Sequence, residues 1–337
     1  MNRGKTTKLQ RIAGILLCAS AALVSFAASA LELRIGLTGA PGQVWVVASQ
    51  RLAERLSEET NGELTLAVFP SSQLGRDSEM LQQLEIGVLD MHLGALRSLT
   101  ARDPALNAWF TPFLLPDVES AVRAARTPAA QEMLSRMERF GMLGLAYTFG
   151  GYRHVLMRDT PFVSLEDLRN QKIRISNFQA ALTWYQAVGA APTPVPLGET
   201  YHALQTGVLD GVDIDLDALV NLEMQRIGRH LTITNHMIYP GVFLVSQVTW
   251  NSLSPQHRDI LRRLIIEAAE WANTEQVKAD AASLARLQAE IDVRELESPE
   301  RVFADAITTW GQRYGNEPLV QAFQEQVGAQ LVGAGAP

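Results

Sequence analysis

From Ser254-Pro255 to about Ile291 the chain offers no glycine and no further proline, and apolar residues recur at helical spacing: Ile260, Leu261, Leu264, Ile265, Ala268, Trp271, Ala272, Val277, Leu284 and Leu287. Ser-Pro is a strong helix start, because the serine can cap and the proline is preset for the first turn. At 1.5 Å per residue the resulting helix is ~50 Å long. That exceeds a single lobe of this size, so the helix is expected to span two.

Residues 1–30 stand apart. Arg3, Lys5, Lys8 and Arg11 precede an apolar run from Ile12 to Phe26, and Ala28-Ser29-Ala30 supplies small residues for cleavage after about Ala30. This is the pattern of a secretory signal, too short and too weakly flanked for a membrane-spanning helix. Cys18, the only cysteine, lies inside it behind Leu16 and Leu17 rather than behind a small residue, so a soluble exported protein is expected rather than a lipoprotein. A chain beginning at Leu31 has no thiol for a disulfide and depends on buried core for stability. Removing the leader's four basic residues takes the net charge from −7 to −11. An acidic balance of that size argues against nucleic acid or an anionic membrane as partner.

Leu31, Leu33, Ile35 and Leu37 alternate with polar residues or glycine, the mark of a strand with one buried face. Trp45, Ala48, Leu52 and Leu56 then repeat at helical spacing until Thr60-Asn61-Gly62. A second strand, Leu64 to Val68, ends at Pro70, and a second helix is predicted to carry Met80, Leu81, Leu84 and Val88. Strand and helix alternating at this spacing predict an α/β protein with mainly parallel sheets covered by helices. The pattern returns later: a capping box at Ser164-Leu165-Glu166-Asp167, a strand from Lys172 to Ser176, and a helix with Phe178, Leu182, Tyr185 and Val188. "EIGVLDM" at 85–91 reappears as "QTGVLDG" at 205–211, each predicting a helix stopped at glycine and a strand with aspartate at its far end. Two lobes of similar build follow, joined by several crossing segments, with Pro194-Val195-Pro196 as a stiff local connection. Residues 31–150 with about 241–275 are expected to form one lobe, and 151–240 with about 276–330 the other.

Catalytic signatures are missing. There is no G-x-S-x-G, no H-E-x-x-H, no phosphate-binding G-x-x-x-x-G-K-[ST] and no G-x-G-x-x-G after the first strand. The six histidines lack metal-ligand spacing. Asp213, Asp215 and Asp217 resemble the start of a calcium loop, but Ala218 stands where the turn requires glycine and Met224 where a bidentate glutamate is required. No metal and no cofactor is expected, and a helix-start acidic cluster is the simpler reading. An exported hydrolase of uronates using Asp213 and Asp215 stays open as a rival.

Arg174 lies between Ile173 and Ile175 near the carboxyl end of a predicted parallel strand, where open α/β sheets place ligand crevices. Periodicity alone favours a solvated strand face for it. Against this stand Arg153, which precedes another alternating stretch in the same lobe, and Asn177, where a helix N-terminus would favour an anion. Two guanidiniums and an amide converging on one crevice would make a forked carboxylate site.

"FPSSQLGRDSEMLQQLEIGVLDM", "DLRNQKIRISN", "GETYHALQTGVLDG" and "TITNHMIYPGVFLVSQVTWNSL" occur in order along nearly the whole chain. In these motifs the chain resembles the solute-binding proteins of tripartite ATP-independent periplasmic (TRAP) transporters, of the DctP type. The resemblance implies a two-lobed periplasmic receptor, not an enzyme, that closes on a small organic acid and delivers it to small and large permease subunits; a monomer is expected. It also implies Arg174 as the carboxylate clamp and Arg153 as a second arginine. Asn177, Thr38 and Asp77 match positions that face ligand in the family, and Phe178 is a candidate wall residue. Sialic-acid binders read "VDGQENP" where this chain has "LDGVDID", placing Asp213 at their glutamate and Ile214 at their pocket asparagine, and Ala95 stands where they carry an acidic residue. Sialic acid is therefore disfavoured. Asp213 and Asp215 are expected to repel a second carboxylate, pointing to a hydroxylated monocarboxylate such as a sugar acid, with C4-dicarboxylates and 2-keto acids as alternatives.

Overall fold

The first strand, β1 (Leu31–Gly36), buries Leu33 and Ile35 and leaves Glu32 and Arg34 exposed, as its alternation requires, while Leu31, expected on the buried face, is exposed at the start of the strand. The structure, a computed structural model, describes residues 30–333. The expected leader and its Cys18 lie, up to residue 29, outside the described residues. Helix α1 (Val44–Glu59) and strand β2 (Leu64–Phe69) follow, and β2 pairs with β1 in parallel, Leu31 opposite Leu64. Helix α2 (Asp77–Glu85) leads to β3 (Met91–Ala95), which is parallel to β1 on its other side. Helices α3 (Val118–Ala124) and α4 (Pro128–Ser135) precede β4 (Met142–Tyr152).

The second half contains β5 (His154–Met157), α5 (Leu165–Leu168), β6 (Lys172–Ile175), α6 (Gln179–Ala187), β7 (Ala191–Pro194), α7 (Leu197–Gln205), β8 (Gly211–Ile214), α8 (Leu216–Asn221), β9 (His230–Ile233) and β10 (Ile238–Ser246). Helix α9 (Gln247–Ser252), the long α10 (Pro255–Glu290), β11 (Asp292–Glu295), α11 (Pro299–Val302), α12 (Ala304–Tyr314) and α13 (Pro318–Gly333) complete it. The strands form a five-stranded sheet, β2-β1-β3-β10-β4, and a six-stranded sheet, β11-β9-β5-β8-β6-β7. The parallel order read from the sequence holds for β1, β2 and β3 and for β6, β7 and β8. Both sheets are nevertheless mixed. β10 runs antiparallel to β3 and β4, and β5 runs antiparallel to β8 and β9, because the chain crosses between the sheets at 152–154 and 234–238.

Helix α10, ~54 Å long at 1.5 Å per residue, packs on α1 and β4 with its first part and reaches α8 and β11 with its last. Asn273 ties it to the first sheet by accepting from the Phe149 backbone N–H at 2.9 Å and from the Thr148 hydroxyl at 3.1 Å. Its buried stripe includes Leu261, Leu264, Ile265, Ala272 and Leu287. Val277, predicted on that stripe, is exposed, because the helix there bridges the two sheets rather than covering either one. Val88 likewise lies beyond α2 and is exposed, since the turn at Gly87 (φ 75°) ends the helical period before it. The final helix, α13, returns to pack on α3, α4 and the turn at Pro104–Phe110.

The repeated "GVLD" has a common structural cause. Gly87 and Gly207 adopt left-handed conformations, φ 75° and 74°, which only glycine takes without a Cβ penalty. Asp90 and Asp210 stand at the near end of the following strands, not at the far end expected from sequence. There each carboxylate accepts a backbone N–H of the neighbouring strand, Arg34 for Asp90 (2.9 Å) and Lys172 for Asp210 (2.8 Å). The motif thus sets the register of β8 beside β6, the strand that carries Arg174. Asp210→Ala should cost about 1.5 kcal/mol, the low end for a hydrogen bond to a charged group because the bond is exposed. Urea denaturation measures it, and an unchanged midpoint would show that the pairing of β6 and β8 alone sets the register.

Candidate ligand-binding site

Strand β6 inserts Ile173 and Ile175 into core on one side, both fully buried, and turns Arg174 to the other. Arg174 is only 3 % exposed. Its Nε donates to the Val195 carbonyl at 3.0 Å, so the stiff Pro194-Val195-Pro196 segment aims the guanidinium. No carboxylate of the described residues pairs with it. Burial, helped by the like charges of Arg153 and Arg97, pushes its pKa down to about 10, so it stays charged at neutral pH in an unfavourable setting. The guanidinium borders an open cleft of about 560 Å³ between the two sheets.

Arg153, at the crossing from β4 to β5, also borders this cleft but is fully engaged. Its Nε donates to Asp213 at 2.6 Å, Nη1 donates to Asp215 at 2.9 Å, and Nη2 donates to the Asp213 carbonyl. The second Asp213 oxygen accepts from the Tyr185 hydroxyl at 2.8 Å and lies 3.0 Å from His236 Nε2. The His236 ring stacks on Trp184 at 5.5 Å, and its Nδ1 meets the Thr234 hydroxyl at 2.8 Å. Burial would raise the Asp213 pKa, but Arg153, His236 and Tyr185 outweigh it and hold the carboxyl well below the usual range. Asp215 is spent twice, on Arg153 and as the cap of α8, where it accepts from Ala218 N at 2.8 Å. Asp213 and Asp215 are therefore internal counterions of Arg153 and not the free carboxylates expected from sequence. Among the described residues no group of three or more His, Cys, Asp or Glu could hold a metal.

Thr38, just past β1, lines the cleft. Asp77 does not, but its Oδ2 accepts from Arg97 Nη2 at 2.8 Å, and Arg97 does line it. Phe178 lies on a smaller adjoining pocket that Trp184, Tyr185 and His236 also line, its ring 4.8 Å from that of Phe110. Asn177 is exposed and borders neither space; the cap position of α6 falls one residue later, on Phe178, with no side-chain bond. Ser176, on the Arg174 face of the strand, borders both.

Several cleft residues escaped the sequence reading. Trp45, predicted as a core position of α1, instead stacks on Tyr239 at 5.7 Å with a 14° interplanar angle. Gly241 makes this possible, since a Cβ there would come within 2.4 Å of the indole. Tyr239 in turn carries Arg97 and Arg153 over its ring at 5.3 and 4.9 Å, a cation–π arrangement on each. Gln43, Gln276 and Asp217 complete the polar wall. The cleft thus offers one unpaired guanidinium, an aromatic surface, neutral amides and one unpaired carboxylate.

The profile of the DctP family, described as bacterial extracellular solute-binding protein family 7, matches residues 35–309. The sialic acid-binding periplasmic protein of Vibrio cholerae is 28 % identical over 319 residues, 94 % of this chain and 95 % of that protein. The C4-dicarboxylate-binding periplasmic protein of Rhodobacter capsulatus is 25 % identical over 334 residues, 96 % and 97 % of the two chains. Among solved structures, a TRAP periplasmic solute-binding protein from Bradyrhizobium in complex with D-galacturonate superposes with a TM-score of 0.83 at 26 % identity, covering 88 % of this chain and 99 % of that one. One from Pseudomonas putida with bound D-glucuronate gives 0.81 at 26 %, covering 87 % and 96 %. A match over most of the chain, a shared two-lobed architecture and an interlobe cleft with an unpaired guanidinium agree, and the chain belongs to the DctP family of TRAP solute-binding proteins.

Proposed function

We propose that this protein is a periplasmic receptor that captures a hydroxylated monocarboxylate of the sugar-acid class and hands it to the membrane subunits of a TRAP permease. The observation that carries this reading is Arg174, a buried guanidinium on the cleft with no acidic partner, while Arg153 and Arg97 on the same cleft are paired. One uncompensated positive charge matches one carboxylate. The planar donors of arginine suit its two oxygens. The Trp45–Tyr239 surface and the amides of Gln43 and Gln276 suit a body that is apolar on its ring face and hydroxylated at its edge. The galacturonate and glucuronate bound by relatives at 26 % identity support the same class. Residues 1–30 would direct export and be cleaved after about Ala30.

Binding with the two sheets acting as lobes that close around the ligand would repay the cost of the lone guanidinium. Calorimetry against galacturonate, glucuronate, gluconate, succinate and pyruvate tests the class. At least one sugar acid should bind tenfold or more tighter than succinate or pyruvate, about 1.4 kcal/mol, and mass spectrometry should return it unchanged. Tightest binding to succinate or pyruvate would overturn the sugar-acid assignment, and a converted acid would reveal an enzyme.

A further inference from the structure

Asp217 differs from every other charged group on the cleft. Arg153 is neutralised by Asp213 and Asp215, Arg97 by Asp77, and Arg174 is left for the ligand's carboxylate. Among the described residues lining the cleft, Asp217 is the carboxylate with no cation against it. It is 7 % exposed, in the first turn of α8. One oxygen accepts from Asn221 Nδ2 at 2.7 Å, and the other accepts from the Val44 backbone N–H, 3.3 Å away at the start of α1 under the other sheet. A carboxylate has about four acceptor positions, so two remain for a ligand.

Its charged surroundings are acidic. Asp215 precedes it on the same helix start, and Asp280 faces it from α10; burial and then Asp215 raise Asp217 to about 7, and burial chiefly raises Asp280 to a similar value. Arg174 is held on the cleft wall by the Val195 carbonyl, whereas Asp217 is held by the Val44 N–H at the start of α1, so the two charges are anchored by different segments of the cleft. Gln43 and Gln276, which line the same cleft as Asp217, are neutral and cannot offset a second negative charge.

We propose that Asp217 is the specificity-determining residue for the end of the ligand remote from its carboxylate, accepting a hydrogen bond from a hydroxyl there and excluding a second carboxylate. This rests on the sugar-acid reading. It also couples selection to closure, because the same carboxylate holds an N–H of the opposite lobe.

The test compares D-galacturonate with galactarate, the same carbon skeleton bearing a carboxylate in place of its far carbonyl carbon, by calorimetry at pH 8.5 and pH 5.5, where the ligands' carboxyl groups remain ionised. Wild type should prefer galacturonate by about 30-fold or more at pH 8.5, since juxtaposed like charges in a desolvated site are strongly unfavourable. The preference should fall several-fold by pH 5.5, because a carboxyl with a raised pKa loses its charge as pH drops through about 7. Asp217→Asn, of the same shape, should lower the preference about tenfold and weaken its pH dependence, leaving only what the neighbouring Asp280 contributes, with galacturonate still bound through Arg174. Galacturonate binding with an unchanged preference in the variant, or with a preference in wild type that is flat across pH, overturns the role of Asp217 alone. If galacturonate is not the sugar acid bound in the calorimetric panel, the acid that is bound and its aldarate replace this pair, and binding of no sugar acid by wild type overturns the sugar-acid reading and this assignment with it.

Discussion

Arg174→Ala should weaken sugar-acid binding by a few hundredfold to several thousandfold while leaving the unliganded protein at least as stable as wild type. Removing one side of a buried, hydrogen-bonded charge pair costs about 3 to 5 kcal/mol, which gives that range. The stability half of the result follows from the missing acidic partner. A cation whose pKa is depressed by folding, here to about 10 by burial first and by Arg153 and Arg97 next, destabilises the fold at every pH below that value. No stabilising ion pair is lost at neutral pH, and the one hydrogen bond given up is to the Val195 carbonyl. Arg174→Lys should recover part of the affinity, since a point charge cannot reproduce two parallel hydrogen bonds. Calorimetry with melts of the unliganded proteins checks both halves. Binding within a factor of about three of wild type would place the carboxylate elsewhere, and a large drop in melting temperature would show Arg174 to be structural.

The opposite pattern is expected at Asp213. Asp213→Ala should cost about 3 to 5 kcal/mol of folding stability, because it strands the buried Arg153 with Asp215 alone and leaves the Tyr185 hydroxyl and His236 Nε2 without their acceptor. Asp213→Asn should do nearly as much harm, since the amide keeps the shape but not the charge. The sign with pH is fixed by the depressed pKa of the carboxyl. Its contribution is present above the unfolded value near 4 and is lost as pH falls toward the folded one. Urea denaturation at pH 7 and pH 3.5 should therefore show the gap between wild type and variant narrowing in acid. If the Asp213 variants unfold at the wild-type urea midpoint, the Arg153 network adds nothing to stability. Taken together, the two substitutions separate an arginine held ready for a ligand from an arginine already compensated by its own chain.

Local chemistry in the chain was enough to place the elements that carry the cleft. The alternation at Leu31 to Leu37, the helical period from Trp45 to Leu56, the Ser164–Asp167 capping box and the unbroken run after Pro255 all have counterparts in β1, α1, α5 and α10. Each rests on contacts within a few residues or on the face that a regular element presents, and both are periodic in sequence. Asp90 and Asp210 show where this ends: the repeat was visible, but the strand N–H each accepts lies 56 and 38 residues away.

The cleft depended on tertiary structure for its charge. Sequence did not say which of Arg153 and Arg174 carries its own counterions, and only the approach of β8, 60 residues after Arg153, pairs one with Asp213 and leaves the other bare. Trp45 read as core and Tyr239 went unremarked because their stacking requires Gly241 on β10 to lie under the indole. Asp217 was one of three similar aspartates until β8 and the cap of α8 turned Asp213 and Asp215 toward Arg153 and the first turn of α8 turned Asp217 toward Val44. Sequence by itself determined the α/β elements, the family and the strand that presents Arg174. Which charges on the cleft are compensated was decided only by the fold, because an ion's free energy depends on what lies within a few ångströms of it, and those neighbours come from distant parts of the chain.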